Sequence, residues 1–412
     1  MIKISEKRNC CGCMACVQKC PQHCISMEID DEGFNYPKVD LDSCINCGLC
    51  EKVCPIINVD KVREPLSCYA AHGKNEDIVK NSSSAGVFYL LAEYIINCGG
   101  VVFGAKFNSL WDVEHAWADN MDGVQSFMGS KYVQSYIGDS YKNAEFFLKS
   151  GRKVLFTGTP CQVAGLRRFL RRSYDNLFCV DVVCHGVPSP GIWREYLKSL
   201  LNPIVGKRIL SNSLFSPLCC NYSNLIKEIS FRDNRLGWKK YGFSISVYPQ
   251  QVSKKYKEIC SYKPLLFQKH YHNLYMKAFL NNFLLRPSCY NCPARKGKSG
   301  SDILLGDYWG IARYYPDFYN SKGVSMILTY TVKGANLLDK IDLKRISVHY
   351  SETSGNSNIE FDENIPDNRA DFFKDFHKNG VLALKMHNKK FEKNILHLYI
   401  QNIINKFKML IK

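Results

Sequence analysis

The sequence predicts a mixed protein in which a small α+β domain is followed by a larger α/β body. One cysteine motif occurs twice within the first 60 residues, and short apolar strands alternate with helices between residues 153 and 201. The chain has 412 residues, of which 46% are hydrophobic, so it is long enough for two or three domains with a large core. We therefore expect domains at residues 1–60 and 61–335, followed by a helical extension at 336–412.

The cysteine motif of the first domain has the spacing C-x2-C-x2-C-x3-C-P in both copies. Its eight cysteines are Cys10, Cys13, Cys16, Cys20, Cys44, Cys47, Cys50 and Cys54. In bacterial ferredoxins with this spacing, three cysteines of one copy bind one 4Fe-4S cluster and the fourth binds the other cluster. The spacing therefore predicts a bacterial-ferredoxin-like domain with two 4Fe-4S clusters, one completed by Cys54 and the other by Cys20.

Zinc is the alternative metal for closely spaced cysteines. Zinc ribbons use two C-x2-C pairs separated by a longer gap, whereas each copy here places three cysteines two residues apart and adds a fourth before a proline. This spacing favours clusters over zinc. Cys11 and Cys24 lie outside the motif, and we expect Cys24 to be a small buried residue of the domain core.

The formal net charge is +17, and the excess of positive charge lies outside the slightly acidic first 60 residues. A basic body favours anionic partners such as cofactor phosphates, an acidic electron-transfer protein or an acidic substrate, although solvated lysines need no partner. We expect no nucleic-acid partner, because the sequence has no zinc-finger, RNP-like or basic-helix motif.

The sequence also predicts a cytoplasmic protein without a transmembrane segment. The first residues, MIKISEKRN, are charged where a signal peptide is apolar. The nearest apolar run, Val87 to Val102, is interrupted by Glu93 and Asn97. Twenty cysteines without an export signal fit a reducing compartment. At the other end, Asn388 to Lys412 predicts a basic helix that packs on its own domain or contacts a membrane surface or partner.

The body begins after a short polar link at Ile56 to Pro65. Apolar residues at helical spacing predict a helix over Val87 to Asn97, which Gly99 and Gly100 end. Strands are predicted at Val101 to Phe107 and Val113 to Ala118. These elements place the body among mixed α/β folds.

A β-α-β-α succession follows and indicates parallel neighbouring strands. Its predicted segments are Lys153 to Thr157, Gln162 to Arg172, Leu177 to Val183 and Pro190 to Leu201. Cys161 and Cys184 each lie just beyond the carboxyl end of one of the two strands, at the sheet edge where ligands of open α/β sheets bind. Cys289 and Cys292 form a separate C-x2-C pair. Taken alone, such a pair is compatible with an iron-sulfur cluster, a redox-active dithiol or a zinc site.

Six short motifs occur in order behind the cysteine repeat. They are Ser82-Ser-Ser-Ala-Gly86, Gly129-Ser-Lys-Tyr132, Gly158-Thr-Pro-Cys-Gln162, Cys184-His-Gly186, Cys289-Tyr-Asn-Cys292 and Gly306-Asp-Tyr-Trp-Gly310. This set resembles the family of coenzyme F-420 hydrogenase/dehydrogenase beta subunits over roughly residues 1–335. The resemblance implies FAD bound in a mixed α/β flavin-binding body, with a further 4Fe-4S cluster beside it.

Carried over to this sequence, the resemblance implies that Cys161, Cys184, Cys289 and Cys292 bind the third cluster. The flavin contacts that it implies are Ser84, Gly86, Ser130, Lys131 and Thr159. Small residues allow backbone N–H groups to approach a phosphate, and a lysine neutralises it. The sequence has neither a G-x-G-x-x-G nor a Walker motif, so the flavin is not expected to bind in the usual Rossmann or P-loop manner.

These expectations describe an FAD-dependent iron-sulfur oxidoreductase. His185 is a candidate proton donor near the flavin, or it has a structural role. The expected partners are a ferredoxin-like protein or a catalytic subunit, and a small organic substrate or hydride carrier. Relatives of this layout also occur in gene neighbourhoods for bacterial surface polysaccharides, which implies a role there. The alternatives are a non-catalytic electron-transfer subunit of a larger hydrogenase or dehydrogenase complex and a metal-binding module on nucleic acid.

Overall fold

The structure is a computed structural model, and it describes residues 1–80, 82, 84–205, 213–252, 257–258, 260–261 and 263–388. The strands are β1 (Ile25–Ile29), β2 (Asn35–Val39), β3 (Ser67–Gly73), β4 (Val101–Phe107), β5 (Val113–Ala118), β6 (Val154–Gly158), β7 (Leu177–Val182), β8 (Ile226–Asp233), β9 (Gly242–Val247), β10 (Leu266–Lys269), β11 (Ile303–Asp307), β12 (Ser325–Thr329) and β13 (Leu343–Ser347).

Helices occur in both the small domain and the body. They are α1 (Ala15–Lys19), α2 (Leu49–Lys52), α3 (Glu76–Lys80), α4 (Val87–Asn97), α5 (Met121–Gln125), α6 (Ser140–Lys149), α7 (Pro160–Leu170), α8 (Pro190–Val205), α9 (Cys220–Ser223), α10 (Leu274–Leu280), α11 (Ile311–Tyr314), α12 (Val332–Leu338) and α13 (Arg369–Asn379). No helix among the described residues is both long and apolar enough to cross a bilayer.

The small N-terminal domain, called here the ferredoxin module, has the same backbone turn in both cysteine repeats. Met14 and Gly48 each follow the second cysteine of a repeat, and both adopt positive φ, 61° and 71°. Gly12 and Asn46 precede that cysteine and also have positive φ, 70° and 53°. The repeated left-handed residues fold each run of cysteines back on itself. The antiparallel pair β1–β2 completes the module.

The body is built on one eight-stranded sheet with the order β13-β3-β12-β11-β7-β6-β4-β5. Strands β4, β6, β7 and β11 are parallel neighbours, which confirms the predicted β-α-β-α succession. Strands β3 and β11 are both antiparallel to β12, so β3 points in the same direction as the four parallel strands. The loops that follow these five strands therefore meet at one edge, called here the carboxyl edge.

Helices cover both faces of this sheet. Helix α4 and helix α12 pack on one face through apolar residues such as Leu91 and Leu337. Helices α6 and α7 pack on the other face through Tyr141 and Leu166. Residues Val154–Phe156 of β6 are fully buried because helices cover the strand on both sides. The predicted fold class, a ferredoxin-like domain followed by a mixed α/β body, is confirmed.

A second sheet consists of three antiparallel strands in the order β10-β9-β8, which come between β7 and β11 in the chain. This sheet packs on an aromatic core of its own. Trp193 of helix α8 and Phe231 of strand β8 have ring centroids 5.0 Å apart, and Tyr275 of helix α10 joins them. Helix α13 adds Phe372 and Phe376 to the same core.

The segment predicted as a helical extension at 336–412 differs from that prediction in the structure. Its boundary at residue 335 falls inside helix α12, and β13 pairs antiparallel with β3 as an edge strand of the main sheet. No residue of β13 is fully buried, which suits a strand at the edge of the sheet, and α13 is the helical part. The basic helix predicted over Asn388 to Lys412 lies, beyond its first residue, outside the described residues.

The ferredoxin module is joined to the body by packing as well as by the link. Cys13, Met14 and Ala15 share one buried core with Tyr141 and Leu166 of the body. Gly33 lies so close to helix α8 that a Cβ there would stand 2.7 Å from the Cα of Gly191, and its φ is +80°. The Gly191 amide also donates a hydrogen bond of 3.1 Å to the Gly33 carbonyl. Part of the module therefore shares a buried core with the body, while a second cluster around Cys20 and Cys24 belongs to the module alone.

Candidate metal centre and cofactor site

The eight motif cysteines separate into two groups, one around each of two cavities. Cys10, Cys13, Cys16 and Cys54 line the first cavity together with Cys11. Burial raises the pKa of the Cys13, Cys16 and Cys54 thiols, because a thiolate is poorly solvated there. Three cysteines of the first repeat thus lie with the fourth of the second, which is the arrangement that the spacing predicts.

The second cavity lies near the N-terminus of the chain. It is lined by Cys44, Cys47, Cys50 and Cys20, together with Cys24. Cys24 is buried, as predicted, and its sulfur lies 3.4 Å from the sulfur of Cys20. Met1 lines the same cavity, and the Ile2 amide donates a hydrogen bond of 3.1 Å to the Cys50 sulfur.

A third group of cysteines lies at the carboxyl edge of the main sheet. Cys161 is in the first turn of α7, after β6, and Cys184 follows β7 by two residues. Cys289 lies on a short 3-10 turn, Pro287–Asn291, and Cys292 directly follows that turn. All four line one cavity of about 530 Å³, part of which is open to solvent. Three segments that are far apart in the sequence therefore bring four thiols together.

The surroundings of these four thiols suit a bound cation rather than free thiolates. Burial and the neighbouring thiols of Cys289, Cys161 and Cys292 raise the pKa of Cys184 well above its usual range. Burial raises the pKa of Cys289 to about 12. Four thiolates this close repel one another, so they ionise together only when metal compensates their charge.

The donor set fits a 4Fe-4S cluster. No group of three or more His, Cys, Asp or Glu side chains among the described residues has the spacing of a single-metal site. In a cubane each thiolate binds a different iron, so cluster ligands stand further apart than the ligands of one zinc ion. Four thiols around one partly enclosed cavity meet that requirement.

The third group is adjacent to the first cavity of the ferredoxin module. The Cys11 thiol, with burial, raises the pKa of the Cys161 thiol well above its usual range, because the two sulfurs interact directly. A Cβ on Gly165 of helix α7 would stand 3.1 Å from the Cys13 sulfur, so the helix backbone touches a motif cysteine. The short N-terminal turn of α7 thus lies between the two groups of thiols.

Of the five candidate flavin residues, Thr159 lies beside these thiols, and Lys131 lies on the loop after α5. Thr159 precedes α7, and its Oγ1 is 3.3 Å from the Cys161 sulfur. The Thr159 amide donates to the Gln162 side chain at 2.9 Å, and Pro160 occupies the first helical position, so this turn is well fixed. Lys131 donates to the carbonyls of Met128 and Gly129 at 2.8 and 3.2 Å. Burial lowers the pKa of Lys131 to about 7.

The other candidate flavin residues lie on two loops of the body. Ser84 and Gly86 follow β3 at the carboxyl edge, and Gly86, with φ +82°, precedes helix α4. The hydroxyl of Ser84 is buried and has no hydrogen-bond partner among the described residues. Ser130 interacts with the phenol of Tyr132. An unpartnered buried hydroxyl and a partly buried lysine are compatible with a bound phosphate.

His185 lies one residue after Cys184 and is held on two sides. Its Nδ1 is 3.1 Å from Oε1 of Glu363, and its ring meets the Phe279 ring edge-on, with centroids 4.9 Å apart. Its Nε2 is buried and has no hydrogen-bond partner among the described residues. The Glu363 contact fixes the ring, which leaves Nε2 as the nitrogen that can serve a ligand.

Sequence reasoning missed several charged residues at this site. Arg295 lines the third cysteine cavity, and its Nη2 donates to the His185 carbonyl at 3.2 Å. Arg232, which is 6% exposed, pairs with Asp307 at the end of β11 and lies over the Tyr241 ring at 4.6 Å. Asp307 is part of the Gly306-Asp-Tyr-Trp-Gly310 motif that the sequence analysis identified. Its ion-pair partner Arg232 belongs to no such motif, so nothing in the sequence marked Arg232 as a site residue.

Comparisons with known proteins agree with this division of the chain. Residues 9–57 match the 4Fe-4S dicluster domain, and residues 151–207 match the C terminus of the coenzyme F-420 hydrogenase/dehydrogenase beta subunit. A subunit of the F(420)H(2) dehydrogenase of Methanosarcina mazei is 24% identical over 212 residues, which cover 48% of this chain and 60% of that relative. The chain thus spans less than two thirds of this relative's length.

Two further similarities concern the ferredoxin module and the fold. "Ferredoxin 7Fe" of Hydrogenibacillus schlegelii is 39% identical over 69 residues, 16% of this chain and 80% of that ferredoxin. A chain of the F-420-reducing [NiFe] hydrogenase complex of Methanosarcina barkeri has 15% identity and a TM-score of 0.43, covering 73% of this chain and 90% of that one.

The dicluster domain, the mixed sheet and the matched body segment define an iron-sulfur protein of the electron-transfer type. The chain has a dicluster ferredoxin domain near its N-terminal end, and a segment of its body is similar to the coenzyme F-420 hydrogenase/dehydrogenase beta subunits. The resemblance seen in the sequence is confirmed.

Proposed function

We propose that this chain is an iron-sulfur flavoprotein oxidoreductase that couples hydride chemistry to one-electron transfer. The observation that carries the proposal is the convergence of Cys161, Cys184, Cys289 and Cys292 around one cavity beside the ferredoxin module. FAD supplies hydride exchange with an organic molecule and single-electron exchange with a neighbouring cluster.

Each cysteine group has one cluster to hold in this proposal. The cluster ligands of the module are Cys10, Cys13, Cys16 and Cys54 for one cluster and Cys20, Cys44, Cys47 and Cys50 for the other. The third group binds the cluster of the body. The interaction of Cys11 with Cys161 supports a short path from the first module cluster to the third, because only the start of α7 lies between the two groups.

The flavin side of the site is assigned to the carboxyl edge. Ser84, Gly86, Ser130, Lys131 and Thr159 hold FAD, with Lys131 facing a phosphate that compensates its buried charge. Thr159 supports this place, because the turn that carries it also carries Cys161. His185 is the proton donor, since Glu363 orients the ring while Nε2 has no other partner among the described residues.

The proposed partners follow from the two ends of this path. A ferredoxin-like protein or a catalytic subunit exchanges electrons with the module. A small organic substrate or hydride carrier reacts at the flavin, and a sugar or lipid-linked intermediate of surface polysaccharide biosynthesis is one substrate class within the proposal.

The test is cofactor analysis of anaerobically purified protein. We expect acid-denatured protein to release FAD, and iron analysis to give roughly twelve irons per chain for three 4Fe-4S clusters. Protein that releases no flavin contradicts the flavin part, and roughly eight irons contradicts the third cluster. A Cys184→Ala variant, measured beside it, should fall to roughly eight irons.

The relative from Methanosarcina mazei bears the name of a subunit, which favours a second candidate function. In that case the chain passes electrons to a separate catalytic chain and has no substrate of its own. Rapid reduction of the purified chain by a hydride donor favours the enzyme. Reduction only after a partner chain is added favours the subunit.

A further inference from the structure

Arg286 is a fully buried arginine between the ferredoxin module and the third cysteine group. Its side chain is 0% exposed. Nε donates to the Cys10 carbonyl at 2.7 Å, and Nη2 lies 3.5 Å from the Cys10 sulfur. Nη2 also donates to the Asn35 carbonyl at 3.0 Å, so three of these contacts reach across to the module.

The same residue fixes the turn that carries Cys289. The Arg286 amide donates to the Val187 carbonyl at 3.0 Å, and the Cys289 amide donates to the Arg286 carbonyl at 2.8 Å. The Val187 amide in turn lies 3.4 Å from the Cys289 sulfur. The backbone of Arg286 thus orders one thiol group while its side chain contacts the other.

Arg286 has no carboxylate partner among the described residues, and its guanidinium contacts backbone carbonyls and lies over the Tyr36 ring at 4.1 Å. Burial lowers the pKa of Arg286, and the ionisable groups that raise it are Cys10, Tyr36, Cys11 and Cys289, none of which is an Asp or a Glu. A buried guanidinium without a carboxylate is costly unless another anion compensates it. A 4Fe-4S cluster with four thiolates is such an anion, and here a predicted ligand accepts directly from the guanidinium.

We propose that Arg286 is a positioning residue that sets the reduction potential of the cluster bound by Cys10. Reduction adds one negative charge to the cluster, so a cation at its ligand stabilises the reduced form more than the oxidised form and raises the potential. A higher potential at this cluster favours electron flow into it from the third cluster. The effect of Arg286 on the potential of the Cys10 cluster depends only on the ferredoxin module. The direction of electron transfer depends on the third cluster of the proposed function.

The experiment is a potentiometric titration followed by low-temperature EPR. The signal of the Cys10 cluster is assigned first with Cys47→Ser, which perturbs the other module cluster. We expect Arg286→Gln to change the one-electron reduction equilibrium about tenfold toward the oxidised form, which is a shift of about 59 mV to lower potential. Arg286→Lys keeps the charge and should keep most of the potential.

A second variant guards against loss of the cluster in Arg286→Gln. Gln134 accepts a hydrogen bond of 3.0 Å from Nη1 of Arg286, so Gln134→Glu neutralises the cation while the guanidinium stays in place. It should shift the potential in the same direction. Unchanged potential in Gln134→Glu, with the Cys10 signal intact, overturns the proposal whether or not Arg286→Gln keeps its cluster.

The matched control is Arg369, another buried arginine that bridges the body and the module. It is paired with the carboxylate of Glu32 at 2.8 and 2.6 Å. The double variant Glu32→Gln/Arg369→Gln removes a bridging cation together with its counter-ion, and should leave the potential unchanged. An equal shift in this control overturns the proposal. In a Cys289→Ser background the titration still measures the potential of the cluster bound by Cys10. The effect of Arg286 is therefore tested whether or not the third cluster exists.

Discussion

The guanidinium of Arg369 holds the carboxylate of Glu32 through two hydrogen bonds, although the two residues are 337 positions apart in the chain. Arg369 also donates to the Leu285 carbonyl at 2.8 Å, which leads into the turn of Arg286 and Cys289. Ser189 adds a hydrogen bond to the Glu32 carbonyl at 2.5 Å. The loop between the strands of the module is therefore anchored to helix α13 and to the start of helix α8.

Removing Arg369 should loosen this anchor strongly. In Arg369→Ala the half-buried Glu32 carboxylate keeps only the more distant Lys7, at 4.0 Å, as a cation, and we expect a loss of about 3 kcal/mol in the free energy of unfolding. Chemical denaturation under anaerobic conditions measures it. Arg345→Ala is the control, because Arg345 pairs with Asp339 at the surface and should cost less than about 1 kcal/mol. Equal losses in both variants contradict the anchor.

Cutting the link should leave the module attached to the body. Val59 and Val62 are 47% and 55% exposed, so a protease site inserted there is accessible. We expect the two fragments to elute together after cleavage, because the module and the body share a buried core. Cleavage of protein that also carries Arg369→Ala should release more of the module. Complete separation of the unmodified fragments would show that packing alone does not hold them.

Replacing Cys289 with serine should remove the third cluster and leave the module clusters intact. Iron should fall by about one third, since three 4Fe-4S clusters contribute equally to the total. Iron analysis and EPR measure the loss. Cys260→Ser is the matched control, because Cys260 is a buried cysteine of the aromatic core and no predicted ligand. Unchanged iron in Cys289→Ser places that thiol outside any cluster.

FAD binding should take up a proton at Lys131. Burial lowers the pKa of Lys131 to about 7, so without FAD the side chain is largely neutral at about pH 8–9. A phosphate beside Lys131 raises this pKa again, so the lysine is protonated when FAD is bound at the same pH. Affinity should therefore fall as the pH rises from about 7 toward 10, the usual lysine range.

Calorimetry in two buffers with different ionisation enthalpies measures that proton. Lys131→Met should bind FAD more weakly, with an affinity that depends less on pH, and Lys131→Glu more weakly still, because a carboxylate then faces the phosphate. Lys106→Met is the control, since Lys106 pairs with Glu114 at 3.7 Å. Equal proton uptake in Lys131→Met and the unmodified chain contradicts the role of Lys131.

The sequence by itself determined the features that depend on neighbours in the chain. The cysteine spacing predicted the grouping of Cys54 with the first repeat, because tight turns of fixed geometry follow from two-residue gaps. Apolar periodicity predicted helix Val87–Asn97 and the parallel pair β6–β7, because the periods of helix and strand are local properties. The positions of Cys161 and Cys184 at one edge followed from that succession.

Only the tertiary structure decided which distant residues meet. The strand at 343–347 joins the main sheet because β3 has a free edge there, and no local signal near residue 336 encodes that edge. The ferredoxin module shares the core of the body, so the boundary at residue 60 marks a change of motif and not a gap between cores. Arg286 contacts Cys10, which is 276 positions away in the chain. Burial of apolar faces brings the two loops together, and because the hydrophobic effect is non-directional, the sequence does not show which apolar faces will pair.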